Sequence, residues 1–169
     1  MFKTIAIFAL PTVVLFIFFL SLGENNQYST ENLTDRKIDS FTLEPLIGDK
    51  KISEDQLKKN DFTLINFFAS WCAPCVVEHE YLLLLKKSNK LKILGVNYKD
   101  KKKHALKFLK ELGDPYDYLG KDESGTMSIK FGLYGVPESI LIDKNLKIIK
   151  KYVGPITIES YEQILKIIQ

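Results

Sequence analysis

The chain has 169 residues, enough for one ordinary domain and a short extra segment, and 46% of them are hydrophobic against 27% charged, which suits a packed core and argues against disorder. A formal charge of +3 is too small to suggest nucleic acid as a partner, and Arg36 is the only arginine, so bidentate phosphate recognition has little to work with. Two cysteines cannot build a multi-disulfide scaffold, so the fold must rest on its core.

In chain order, residues 5–22 are apolar except for Thr12 and Ser21, and Lys3 precedes them. That length meets the lower limit for a membrane-spanning helix and fits an uncleaved anchor. Small residues around Ser21-Leu22-Gly23 also fit a signal-peptide cleavage site. Pro11 is tolerable inside a membrane helix. Lys3 and the amino terminus would stay in the cytoplasm, with everything after Leu22 outside it. Residues 1–23 are thus expected to be an anchor or signal peptide, 24–38 a polar tether, and 39–169 one domain.

Within that domain, Phe41, Leu43 and Leu46 alternate before a turn at Gly48-Asp49, predicting a short hairpin or edge strand. Residues 62–68 (FTLINFF) and 91–98 (LKILGVNY) read as buried strands. A helix is expected from Cys72 or Ala73 to about Lys87. Asp100 is placed to cap a second helix whose apolar face carries Ala105, Phe108, Leu109 and Leu112, ended by Gly113 and Pro115. A short helical piece follows near residues 126–131, then two strands over 139–143 and 147–153, and an amphipathic helix over 158–168. This order of elements predicts an α/β sandwich.

The chemistry concentrates in ASWCAPC, residues 69–75. A Cys-x-x-Cys pair at a strand-to-helix junction puts the first sulfur at a helix N-terminus, where unpaired N–H groups and the macrodipole favour a thiolate. Cys72 is therefore the expected nucleophile and Cys75, one turn on and more buried, the resolving thiol. Pro74 stiffens the first turn and withholds an N–H that has no helical partner. A plain structural disulfide would close too small a loop to remove much chain entropy. A metal cluster of Cys72, Cys75 and His79 lacks a fourth ligand with regular spacing. His79 and His104 read as ordinary surface or boundary residues. Lys101, Lys102 and Lys103 crowd a helix start, and read as a solvated charge run or as a patch for an acidic partner.

FFASWCAPC resembles the thioredoxin-superfamily active site, and GLYGVPE (residues 132–138) resembles its substrate-binding loop. That resemblance implies a cis peptide bond before Pro137 and makes Val136 and Pro137 the expected substrate-binding residues. WCAPCVVEH, VNYKD, ELGDPY and GLYGVPESILID together are similar to the CcmG/DsbE family, membrane-anchored thiol-disulfide proteins of cytochrome c maturation. The resemblance covers about residues 41–154. It implies a thioredoxin-like fold with an N-terminal β extension and a central helical insert, preceded by one transmembrane helix. It further implies a periplasmic, inner-membrane-anchored dithiol reductant for the haem-binding cysteines of apocytochrome c. Such a protein acts directly or through another maturation protein, is re-reduced by a membrane thiol-disulfide transporter, and needs no soluble cofactor or metal. Alternatives are a general periplasmic reductase or oxidase and a thioredoxin-like copper chaperone; the latter usually carries CxxxC and a late histidine.

Around the pair, Asn66 stands where thioredoxins carry a buried aspartate, and Asn cannot titrate. Glu78 and Glu138, at acidic positions of the resembling family, are the candidate proton acceptors for Cys75, or else solvated rim charges. Trp71 is expected to pack beside the disulfide and shield it, with Ala73 and Pro74 between the sulfurs. Tyr98 and Tyr134 are read as packing and loop-ordering residues.

Overall fold

The computed structural model describes residues 11–19 and 36–169. Residues 11–19 are helical (α1) and expose Val13 through Phe19. Among the described residues no helix is long and apolar enough to cross a membrane. The remainder of the expected anchor over 5–22, and most of the tether, lie outside the described residues.

From Lys37 onward the chain belongs to the domain. Lys37 bridges Lys147, and buried Ile38 donates its N–H to the Leu146 carbonyl. These residues were expected in the tether. Ile38 finds a core position that its polar neighbours conceal.

Seven strands form one sheet: β1 Thr42–Pro45, β2 Ile52–Ser53, β3 Phe62–Phe68, β4 Leu91–Tyr98, β5 Tyr118–Asp122, β6 Glu138–Asp143 and β7 Ile148–Val153. Their order is β2-β1-β5-β4-β3-β6-β7. Strands β3, β4 and β5 run parallel; β1, β6 and β7 join antiparallel. Parallel neighbours need crossovers, and α3 (Ala73–Leu85) and α4 (Lys102–Leu112) supply them. The short helices α2 (Glu54–Leu57) and α5 (Thr126–Lys130) and the terminal α6 (Ile158–Ile168) complete the fold.

The period-2 geometry of β3 splits its apolar run between two layers. Leu64 and Phe68 face a cluster built with Cys75, Leu82 and Leu85 of α3, Phe108 and Leu109 of α4, and Ile164 and Ile168 of α6. Ile65 and Phe67 face a second cluster with Leu57, Met127 and Phe131. All four β3 side chains are fully buried, each contributing about 1.5–3 kcal/mol of transfer free energy. With both faces covered, β3 is rigid, and its C-terminal end carries the site.

Three expectations change. The central insert contributes a strand as well as a helix: β5 lies between β1 and β4, followed by the five-residue α5. The sequence YLGKD is too polar and too glycine-interrupted to read as a strand. Asp100 does not cap α4, whose N-cap is Lys101. Leu112, placed on the apolar face of α4, is solvent-exposed at the helix end. Gly95 on β4 leaves room for a ring: a Cβ there would stand 2.7 Å from Tyr116.

Candidate active site

Cys72 is the N-cap of α3 and is joined to Cys75 by a disulfide, with the Cα atoms 5.4 Å apart. The Cys75 N–H points at Cys72 Sγ at 3.2 Å, so the donor that would hold a Cys72 thiolate is already aimed at it. Cys72 is 4% exposed and Cys75 1%, the expected order. Ala73 and Pro74 form the first turn between them.

Asp100 fastens this turn from the side. Its carboxylate accepts from Ser70 N (2.7 Å), Ser70 Oγ (3.0 Å) and Asn97 Nδ2 (3.1 Å). Burial pushes its pKa up, but these bonds outweigh burial and hold it below the ordinary aspartate value. Trp71, expected to pack beside the disulfide, stands largely in solvent. It is 59% exposed, held at one end by an indole N–H donated to the Lys99 carbonyl at 3.2 Å. Its ring stands 6.5 Å from that of Tyr98. Lys101, Lys102 and Lys103 are exposed.

Beneath the disulfide lies a buried polar network centred on Asn66 and Glu78. Asn66 Nδ2 donates to Glu78 Oε1 (2.7 Å) and to Ser139 Oγ (3.0 Å), while Asn66 Oδ1 accepts from the Tyr116 hydroxyl (2.8 Å). The Ile156 N–H reaches Glu78 Oε2 at 2.8 Å. Burial, then the Glu78 charge, holds the Tyr116 pKa well above its usual value, so this hydroxyl is a donor, which fixes the Asn66 amide orientation. An ionised aspartate at position 66 could not donate to Glu78; two carboxyl groups would face each other instead. Burial raises Glu78 to about 7, opposed by the bonds from Ile156 and Asn66. Of the two readings left open for Glu78, a solvated rim charge is the wrong one. It lies on the inner face of α3, one turn after Cys75.

The loop over residues 132–138 enters β6 opposite the end of β3, with Glu138 across from Phe67. Its Val136–Pro137 peptide is cis, and Val136 packs against the cluster that contains Cys72 and Cys75. Glu138 is buried too, so it is no rim charge. Its Oε1 accepts from Tyr134 N (2.9 Å) and Gly135 N (3.2 Å), and its Oε2 lies 2.7 Å from Lys151 Nζ. That last contact is an ion pair whose angles fall short of a hydrogen bond.

His79, expected as a surface or boundary residue, is buried, and its Nε2 meets the Gly113 carbonyl at 2.8 Å, edge-on to Phe108. Burial lowers its pKa, opposed by that bond and by Asp114. Among the described residues no group of three or more His, Cys, Asp or Glu is placed to hold a metal ion. Sequence reasoning missed Tyr116, Ser139 and Lys151. Tyr116 and Ser139 lie within the segments ELGDPY and GLYGVPESILID, but all three reach the site only through sheet register or a crossover.

A CxxC disulfide at a helix N-terminus, faced by a cis-proline loop on a mixed sheet, defines a thioredoxin-like redox protein, and the Redoxin family model matches residues 33–165. The thiol:disulfide interchange protein CycY of Rhizobium leguminosarum bv. viciae is 48% identical over 103 residues, covering 61% of this chain and 55% of that relative, little more than half its length. The thiol:disulfide interchange protein DsbE of Haemophilus influenzae is 33% identical over 144 residues, 85% of this chain and 79% of the relative. A solved Chlorobium tepidum structure assigned as a DsbE superposes with a TM-score of 0.68 at 25% identity, covering 79% of this chain and 93% of that one. The chain belongs to the CcmG/DsbE family of thiol:disulfide interchange proteins.

Proposed function

We propose that this protein is a periplasmic dithiol reductant of cytochrome c maturation, which keeps the haem-binding cysteines of apocytochrome c reduced. The observation that carries the redox reading is the Cys72–Cys75 disulfide at the N-terminus of α3, beside the cis Pro137 loop. The direction and the client rest on family membership.

In the forward reaction the Cys72 thiolate attacks one sulfur of a client disulfide. That S–S bond breaks, a mixed disulfide forms, and the departing client thiolate takes a proton. Cys75 then gives its proton to the Glu78 carboxylate and attacks Cys72 Sγ, releasing the second client thiol. Two electrons pass from the dithiol to the client, and Cys72–Cys75 returns as a disulfide. Glu78 suits this step because a group near 7 is substantially ionised at neutral pH and still basic enough to accept a proton. Val136 and Pro137 offer backbone groups to an extended client segment. A membrane thiol-disulfide transporter restores the dithiol.

Residues 5–22 serve as the single inner-membrane anchor in this reading, with the domain in the periplasm. Their apolar length and the preceding Lys3 support it. Protease added to spheroplasts should then digest the domain; full protection would refute the placement.

The decisive experiment is a Cys75→Ala chain, which cannot resolve and should freeze mixed disulfides through Cys72. Apocytochrome c or its maturation thiol proteins are expected among those captured. If neither appears, the client assignment fails. A reduction potential as high as about −120 mV would instead mark an oxidant.

A further inference from the structure

Lysine is rarely buried, because taking an ammonium out of water costs several kcal/mol unless it is paired. Lys151 on β7 is nevertheless only 4% exposed. Its Nζ has three neighbours: Glu138 Oε2 at 2.7 Å, the Gly132 carbonyl at 2.7 Å, and the face of the Tyr134 ring at 4.9 Å. Each belongs to the loop over residues 132–138. Glu138 in turn spends its other oxygen on the backbone N–H groups of Tyr134 and Gly135.

Stability alone does not call for this pair, since apolar residues of the same shape often serve a fold equally well or better. What an apolar pair lacks is direction. The loop over 132–137 has no strand or helix to order it; backbone bonds hold its ends, from Leu133 N to Ser128 O and from Gly154 N to Pro137 O. Between those ends the Lys151–Glu138 pair adds directed contacts. It binds one carbonyl, two N–H groups and one ring, and Tyr134 stays 66% exposed while its ring rests on the ammonium.

We propose that Lys151 is a positioning residue for client binding, acting through Glu138 to hold the disulfide-facing loop in the shape that receives an extended peptide. The inference rests on the reading of that loop as the client site. It also assigns Glu138 to the loop, leaving Glu78 as the proton acceptor. A small disulfide reacts at Cys72 without lying along the loop, so the two kinds of substrate should respond differently.

The test follows single-turnover reduction by the pre-reduced full chain and by its Lys151→Met, Lys151→Arg and Lys151→Met/Glu138→Gln variants, with the half-saturating substrate concentration read as KM. The substrates are a disulfide-bridged CxxCH peptide and a small aromatic disulfide. Lys151→Met should raise the KM for the peptide about tenfold, the scale of one or two net hydrogen bonds lost from the loop, while the rate on the small disulfide stays within about twofold. Arginine, which keeps the charge, should restore the peptide KM to within about threefold. The double variant removes both buried charges and guards against misfolding; it should keep the wild-type unfolding midpoint and still show the raised KM. An unchanged peptide KM, equal losses on both substrates, or a double variant that does not fold would each overturn the inference. If the wild-type chain reduces neither disulfide, the redox reading itself fails, and this one with it.

Discussion

Replacing Glu78 by glutamine should change how stability depends on pH, and the structure sets both sign and size. In the unfolded chain this carboxyl titrates near its ordinary value of 4.5, and in the fold burial raises it to about 7. Below 4.5 both states hold the proton, and the contribution of this group is fully present. Between 4.5 and 7 the unfolded chain releases its proton while the folded chain retains it, so stability falls as pH rises. At 1.36 kcal/mol per pH unit, the loss amounts to about 3 kcal/mol by pH 8. Glutamine cannot titrate, and its amide sets a donor against either the Ile156 N–H or Asn66 Nδ2, a mismatch of about 1–3 kcal/mol. The variant should therefore be the weaker protein at pH 4 and close the gap toward pH 8. Urea melts of the oxidised chains, followed by circular dichroism from pH 4 to 8, would measure the difference between the two curves. A wild-type-minus-variant difference that stays flat, or that grows with pH, would refute the account of Glu78 as a carboxyl raised by burial.

Two further outcomes follow from the supports of the site. Gly95→Ala drives a Cβ to within 2.7 Å of the Tyr116 ring, and should cost about 1–3 kcal/mol in chemical denaturation. Because Tyr116 then shifts from Asn66, the Asn66 side-chain amide resonances should move; an unchanged spectrum around Asn66 would contradict the network. Asp100→Asn leaves the Ser70 and Asn97 donors without a charged acceptor. Since the wild-type carboxyl sits below its ordinary 3.8, its stabilisation is present above that value and is lost as pH falls through the folded pKa. The variant should thus show a flatter acid-unfolding profile below pH 4, and a profile as steep as wild type would remove Asp100 from the accounting.

The two sulfurs and the strand that delivers them are legible in the sequence, because they depend on local spacing. Cys72 precedes a helix that Pro74 can start but not extend, and FTLINFF has the apolar continuity of a strand covered on both faces. Strands β3, β4, β6 and β7 and helices α3 and α6 fall where periodicity places them. The chain by itself also names Asn66, Glu78 and Glu138 as unusual companions of the pair, and GLYGVPE as the facing loop.

Where these companions lie, and what they touch, was decided only in three dimensions. Sequence offered both glutamates as equal alternatives, rim or redox. The sheet register sets Asn66 beside Ser139, and the β4–α4–β5 crossover returns Tyr116 over Gly95; together they close a buried cage on Glu78. The β6–β7 register sets Lys151 opposite Ile140, from where its side chain reaches Glu138 diagonally and gives the second carboxylate a different partner. Burial and counter-charge decide a carboxylate's chemistry, and both come from residues far away along the chain. Spacing alone places the thiols; only the packed fold distributes the acids around them.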